Sequence, residues 1–295
     1  MYINNNGVII IKAYFVKEDD KPNIFKQVFN INTIQNNQII VQPISQKIEE
    51  KQAEKLAKSI RKKCQKQGIS RVVLSKNIQN NKLFFNKIYE CAINTFDGKW
   101  LQKYMSYETL DYILKNKNLK KEETEITILS NYISNEVIET IKLLAKEYKA
   151  VNVVTKQINE FEHFEKKIYD EYGMMMTVTD NKRKSLAKSR IILNFDFTER
   201  QLNQYEIYEE AIIVNLQEKA KINKKRFNGL VVNDYEIYST REDDYFGLDK
   251  VRNFYVKDLL EENLYRKDSF ANIRRNITYG HYKIKELYGI NGKLF

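Results

Sequence analysis

Between Ile126 and Asp234 the chain repeats one alternation: a short apolar run, then a polar stretch with helical spacing. The runs are "ITILS" (126–130), "VNVVT" (151–155), "MMMTV" (174–178), "RIILNF" (190–195), "AIIVNL" (211–216) and "LVVND" (230–234). A strand with one wet face alternates apolar and polar residues, whereas a strand apolar at nearly every position must be covered on both faces. Runs of this kind separated by helices predict a parallel sheet whose right-handed crossovers place cover on each side. The expected fold class is α/β, a doubly wound parallel sheet.

The connecting stretches carry their own punctuation. Ser134 precedes an apolar face of Val137, Ile138, Ile141, Leu144, Ala145 and Tyr148. Asn159 with Glu162 has the form of a capping box for a helix lined by Phe161, Phe164, Ile168 and Tyr172, and Gly173 is its left-handed stop. Residues 182–188 predict a short basic helix, and Thr198 with Gln201 a capped one. The methionines 174–176 fit the core of a strand, since a methionine-rich binding surface would want helical spacing.

Upstream, residues 7–16 and 24–41 carry β-rich runs between polar turns. From Ile48, the residues Ala53, Leu56, Ala57, Ile60 and Cys64 keep helical spacing, with Ser45 as cap and Gly68 as stop. "RVVLS" (71–75) is a further strand, followed by helical stretches at 83–93 and 105–114. The order predicts a smaller α/β domain over 1–120 ahead of the sheet domain at 121–238. Within the smaller domain, "NTFDGKW" (94–100) reads as a break between helices. Asp97 and Lys99 form a conceivable acid and base pair there, although an Asp-Gly turn accounts for the same letters. Beyond 239, Leu259, Leu260 and Leu264, then Phe270, Ile273 and Ile277, predict a C-terminal helical segment packing back on the domains.

Composition narrows the function classes. With 42% hydrophobic residues in 295, the chain can bury a sizeable core. It has 2 prolines and 9 glycines, and it lacks the roughly 18-residue apolar stretch a membrane span needs. The short run at 8–11 is no signal-peptide core, so the expected location is cytoplasmic. Cys64 and Cys91 fall in helical patterns and read as buried thiols, and neither His163 nor His281 is at metal-ligand spacing from them. The net charge of +11 comes from 50 Lys and Arg against 39 Asp and Glu. Only 11 of the cations are arginine, the residue suited to bidentate phosphate contacts. Nucleic-acid binding through the basic face of the first long helix, or elsewhere, would therefore be non-specific; a solvated surface accounts for the same charge.

The segment "SLAKSRIILNFDFT" (185–198), followed by "EEAIIVNL" (209–216), resembles the Rossmann NAD(P)-binding superfamily, with a shikimate-dehydrogenase-like rhythm over the middle third of the chain. The resemblance implies a pyrophosphate held over a glycine turn after strand one. Here that turn is "SNYISN" (130–135), without glycine, so its Cβ atoms and the Tyr132 ring are expected to obstruct the approach. Strand two ends in Thr155 and Lys156, not in the acid that holds a ribose hydroxyl, which turns any preference toward NADP. Ligands in such sheets sit beyond the carboxyl ends of the strands, where Ser130, Asn131, Asn194 and Asp196 would meet, with Ser134, Thr155 and Lys156 beside them. Lys182, Arg183, Lys184, Lys219 and Lys221 would ring the same edge, as an anion-binding arrangement or as the loop lysines of a lysine-rich chain.

No nucleophile and base pair, paired carboxylates or metal cluster is legible. The expected protein carries a Rossmann-like domain with degenerate or altered nucleotide binding and no readable catalytic site. The alternatives are a non-enzymatic regulatory or interaction protein contacting nucleic acid through a basic surface, and an NADP-dependent reductase. The cofactor is none or NADP, the partner a small anionic or nucleotide ligand or nucleic acid, and no membrane is involved.

Overall fold

The computed structural model describes residues 2–3, 9–10, 13–19, 33–35, 39–44, 48–240, 253–267, 270–279 and 281–295. Two compact units emerge, one from Met1–Gly98 with Arg241–Ile273, the other from Lys99–Thr240 with Arg274–Phe295.

In the first unit, β1 (Tyr2–Ile3) and β2 (Ile9–Ile10) form a small antiparallel pair. The main sheet contains β3 (Tyr14–Glu18), β4 (Thr33–Gln35), β5 (Ile39–Gln42), β6 (Arg71–Leu74) and β7 (Asn94–Phe96), in the order β4-β5-β3-β6-β7. All pairings but β4 with β5 are parallel. The helix Glu50–Lys66 buries Ala53, Leu56, Ala57, Ile60 and Cys64, the stripe its spacing predicts. Ser45 lies outside the described residues; the helix starts after Glu49, with no side-chain cap. Segment 94–100 is not only a break, because Asn94–Phe96 adds the edge strand β7 beside β6.

The second unit contains β8 (Ile126–Leu129), β9 (Ala150–Val154), β10 (Met175–Thr179), β11 (Ile191–Asn194), β12 (Ile212–Asn215) and β13 (Leu230–Val232). Their order is β10-β9-β8-β11-β12-β13, all parallel. Counted within the unit this is 3-2-1-4-5-6, the doubly wound Rossmann order, whose switch point lies between the first and fourth strands. β8, β11 and β12 are buried at every position, as apolar runs in a covered sheet require. β10 is an edge strand: Met174 and Met176 are buried, while Met175 is 60% exposed.

The cover differs between the halves of the sheet. The helices Asn135–Ala145 and Ile158–Tyr172 connect β8 to β9 and β9 to β10. The second starts after Gln157, so Asn159 and Glu162 lie inside it and form no capping box. Between β10 and β13 helices nearly vanish. Residues 182–188 are not a basic helix: the Asn181 side chain accepts the backbone N–H of Arg183 (3.0 Å) and Lys184 (3.1 Å) in a turn over 182–185, and Leu186 then leaves it to bridge Ile207. The one helix left is Glu199–Leu202, held by the Thr198–Gln201 capping box. Leu186, Phe197, Leu202, Tyr205 and Ile222 from these irregular connections pack in one cluster with Ile192 and Ile213 of the sheet.

Two boundaries differ from the sequence expectation. The first unit ends at Gly98 and not near 120, because helices Lys99–Tyr104 and Ser106–Lys117 belong to the second; Ser106 Oγ lies 2.6 Å from Thr140 Oγ1 of helix Asn135–Ala145. The segment beyond 239 is divided between the units and is not wholly helical. β14 (Asp234–Ser239) pairs antiparallel with β15 (Tyr282–Gly289), which turns into β16 (Gly292–Lys293). Among the described residues, no helix is long and apolar enough to cross a membrane.

Candidate functional site

The carboxyl ends of β8 and β11 bring Ser130, Asn131 and Asp196 together. Both Asp196 carboxylate oxygens lie 2.9 Å from the Asn131 backbone nitrogen, which donates to them. The Asn131 side-chain amide and the Ser130 hydroxyl donate to the same carboxylate, each at 3.2 Å. Burial raises the Asp196 pKa, opposed in part by the N–H groups of Asn131 and Tyr132, by Ser130 and by the charge of Lys103. The turn after the first strand thus already holds an anion, supplied by the turn after the fourth.

Tyr132, in the same turn, is 65% exposed. The Asn131 N–H beside it is occupied by Asp196. Ser134 caps helix Asn135–Ala145, accepting the Val137 N–H at 3.4 Å. Thr155 is buried and accepts the Gln157 N–H at 3.0 Å. Lys156 has an exposed side chain and donates its backbone N–H to Asn131 Oδ1 at 3.4 Å, tying the end of β9 to the same turn. Of the seven candidate residues, Ser130, Asn131, Asp196 and Lys156 are directly linked.

Asn194 does something else. It sits in a ladder across three strand ends: Asn194 Nδ2 donates to Asn215 Oδ1 at 2.8 Å, and Asn215 Nδ2 to Asn233 Oδ1 at 2.9 Å. All three are buried. Asn194 also brackets the turn by accepting the Phe197 N–H and donating to its carbonyl, both at 2.8 Å. Asn233 likewise accepts the Ala220 N–H at 2.8 Å and donates to its carbonyl at 3.2 Å. Sequence reasoning missed this ladder, although the signal is visible: "IILN", "IIVN" and "LVVN" each end an apolar run with asparagine.

Lys99 Nζ donates to the Asn233 carbonyl at 3.0 Å and to Gln102 Oε1 at 2.9 Å, which gives it a structural task beside the ladder. Lys182 reaches Gln204 at 2.8 Å, while Arg183, Lys184, Lys219 and Lys221 are exposed. Two cavities of about 500 and 540 Å³ open elsewhere on this unit, one beside Glu125, Lys188 and Arg190, the other beside Tyr107, Glu147 and Arg274. Among the described residues no group of His, Cys, Asp and Glu is placed to hold a metal ion.

No family model and no curated protein matches the chain. Among solved structures it is similar to an L-tryptophan dehydrogenase from Nostoc punctiforme, at 7% identity and a TM-score of 0.36, over 90% of this chain and 78% of that one. A shikimate dehydrogenase in complex with NADP+ aligns at 9% identity and a TM-score of 0.34, over 92% and 96% of the two chains. An ornithine transcarbamoylase from Giardia lamblia aligns at 10% identity and 0.33, over 88% and 87%. Likenesses this distant carry no argument about activity. What places the second unit in the Rossmann-like α/β class is its own strand order.

Proposed function

We infer that the second unit is a Rossmann-like domain whose usual pyrophosphate position is filled from within, and that the protein works through binding and not through dinucleotide chemistry. The observation behind this reading is the Asp196 carboxylate on the Asn131 N–H. In a dinucleotide-binding sheet, the amides after the first strand face the phosphates. A phosphate approaching this turn meets a carboxylate of the same sign, already bonded and tethered at high effective concentration. The asparagine ladder supports the reading, since it commits three strand ends to the fold. Calorimetry with NAD and NADP on the natural chain and on Asp196→Ala tests it. The natural chain is expected to show no saturable binding below millimolar dinucleotide, and Asp196→Ala to gain measurable affinity. Micromolar binding by the natural chain would overturn the reading.

A second reading rests on Lys156. This cation follows β9, where an acid would otherwise hold a ribose hydroxyl, and suits a 2'-phosphate. If the protein is an NADP-dependent reductase, NADP binds the natural chain and NAD does not, and Lys156→Ala removes the difference.

A further inference from the structure

Two stretches of the second unit, "KRKSLAKSR" (182–190) and "KAKINKKR" (219–226), hold ten cationic side chains and no acid. Residues 55–89 of the first unit also hold ten cations and no acid, spread over about twice as many residues. The two stretches are therefore the denser concentration of positive charge.

Both stretches lie in the helix-poor half of the second unit, and both are bonded to the same segment, 199–209. The Glu206 N–H donates to the Lys182 carbonyl at 2.7 Å and the Tyr208 N–H to the Leu186 carbonyl at 2.9 Å. From the other stretch, the Lys221 N–H donates to Glu199 Oε2 at 2.9 Å, and Asn203 Nδ2 donates to the Lys221 carbonyl at 2.9 Å. The apolar residues Leu186 and Ile222 of the two stretches enter one cluster beneath. The cations remain outside. Lys182, Arg183, Lys184 and Lys188 are exposed, as are Lys219, Lys221, Lys225 and Arg226, and none of these makes an ion pair. Arg190 alone is paired, with Glu210 at 2.6 Å. The acids on the shared segment are Glu199, turned to the Lys221 and Asn223 nitrogens, Glu206 and Glu209; Glu210, the partner of Arg190, follows it.

We propose that this face is a docking surface for duplex nucleic acid, gripped through its phosphates. Unpaired cations on two strips fastened to one segment match a regularly charged polyanion, whose condensed counterions they release. No large hydrophobic side chain between 180 and 229 is among the strongly exposed ones, so the face lacks the apolar wedge that seats a helix in a lipid surface. It equally lacks the exposed aromatic platforms on which single-stranded bases stack. The predominance of lysine suits phosphate contact without base reading. The inference does not depend on whether the turn at Asn131 accepts a nucleotide.

Fluorescence anisotropy with labelled 24-base-pair DNA and RNA duplexes, the matching single strands and anionic phosphatidylserine vesicles tests it on the full chain between 50 and 200 mM salt. Duplex binding is expected, alike for unrelated sequences, with a log–log salt slope of about −5 or steeper. The DNA and RNA arms identify which duplex is preferred. Replacing Lys182, Arg183 and Lys184 with alanine, or Lys221, Lys225 and Arg226, should flatten the slope by roughly 3 and weaken binding at least tenfold at 100 mM salt. Replacing Lys55, Lys62 and Lys66, exposed on the long helix of the first unit, should leave the slope unchanged. The proposal is overturned by failure to bind duplex at 50 mM salt, by equal loss in the Lys55, Lys62 and Lys66 variant, or by stronger binding to vesicles or single strands than to duplex.

Discussion

Asp196 sits symmetrically under the Asn131 backbone N–H, with 2.9 Å to each carboxylate oxygen. A buried carboxylate usually drifts toward its protonated form unless hydrogen bonds hold the charge, and here burial outweighs them, since the Asp196 pKa is raised. The folded state therefore binds this proton more tightly than the unfolded state. Stability from this group is greatest at acid pH and falls as pH rises from the unfolded value through the folded one. Asp196→Asn has no such dependence. Urea denaturation of both chains from pH 4 to 7 should show the substituted chain gaining on the natural one as pH rises. The reverse trend would mean that the N–H groups outweigh burial.

The asparagine ladder gives a graded prediction. Asn215 is fully buried and bonded on both sides. Asn215→Ala leaves the Asn194 side chain bonded only to Phe197 and the Asn233 side chain only to Ala220, and should cost about 2 kcal/mol. Asn215→Asp costs more, because it faces the Asn233 oxygen with an acceptor and buries a charge. A denaturation series that ranks the two in the opposite order would show that the ladder is not held by the Asn215 amide.

Ladder and sheet were not equally legible beforehand. The strands β8, β11 and β12 could be read because complete burial requires continuous apolar letters, and the Thr198 cap because its partner lies three residues away. The convergence of Ser130, Asn131 and Asp196 followed from the rule that strand ends share an edge. That Asp196 would point back at the Asn131 N–H did not follow, since it depends on the register of β8 with β11. β15 was missed although Tyr282, Ile284 and Leu287 are buried with Lys283 and Lys285 exposed, because Lys285 is an extra residue in β15 opposite the step from Glu236 to Ile237, which breaks the alternation, and the apolar spacing continues from the helix before it. β7 is three residues long, too short for any period to show.

Gly229 precedes β13 in a tight approach. A Cβ there would lie 2.0 Å from the Ala211 carbonyl oxygen, which accepts the Leu230 N–H. Gly229→Ala should cost about 3 kcal/mol, as overpacking against backbone does. Gly68, with a φ of +64° and open space around it, should cost only about 1 kcal/mol on the same change. Thermal melts of the two variants should separate clearly.

Both thiols are buried, and burial pushes Cys64 up to about 11. At pH 8 the native chain should react slowly with a thiol-specific disulfide reagent, with two equivalents appearing once guanidinium unfolds it. Fast titration of Cys64 in the folded chain would show that the helix Glu50–Lys66 opens far more often than its packing allows.

The partition of the chain has a consequence for how it can be cut. Neither unit is one continuous stretch: the path leaves the first at Gly98, returns to it after Thr240 and departs again after Ile273. Strand β14 ends just before the second passage, and its partner β15 is translated only after the third. A chain stopped at Thr240 would thus carry the whole parallel sheet yet display β14 with its pairing edge bare and Tyr235 and Ile237 stripped of cover, the template on which strands of separate molecules join. Nascent chains pass through that state, so Tyr282–Gly289 acts as a seam that closes the open edge of β14 only once β15 has been made.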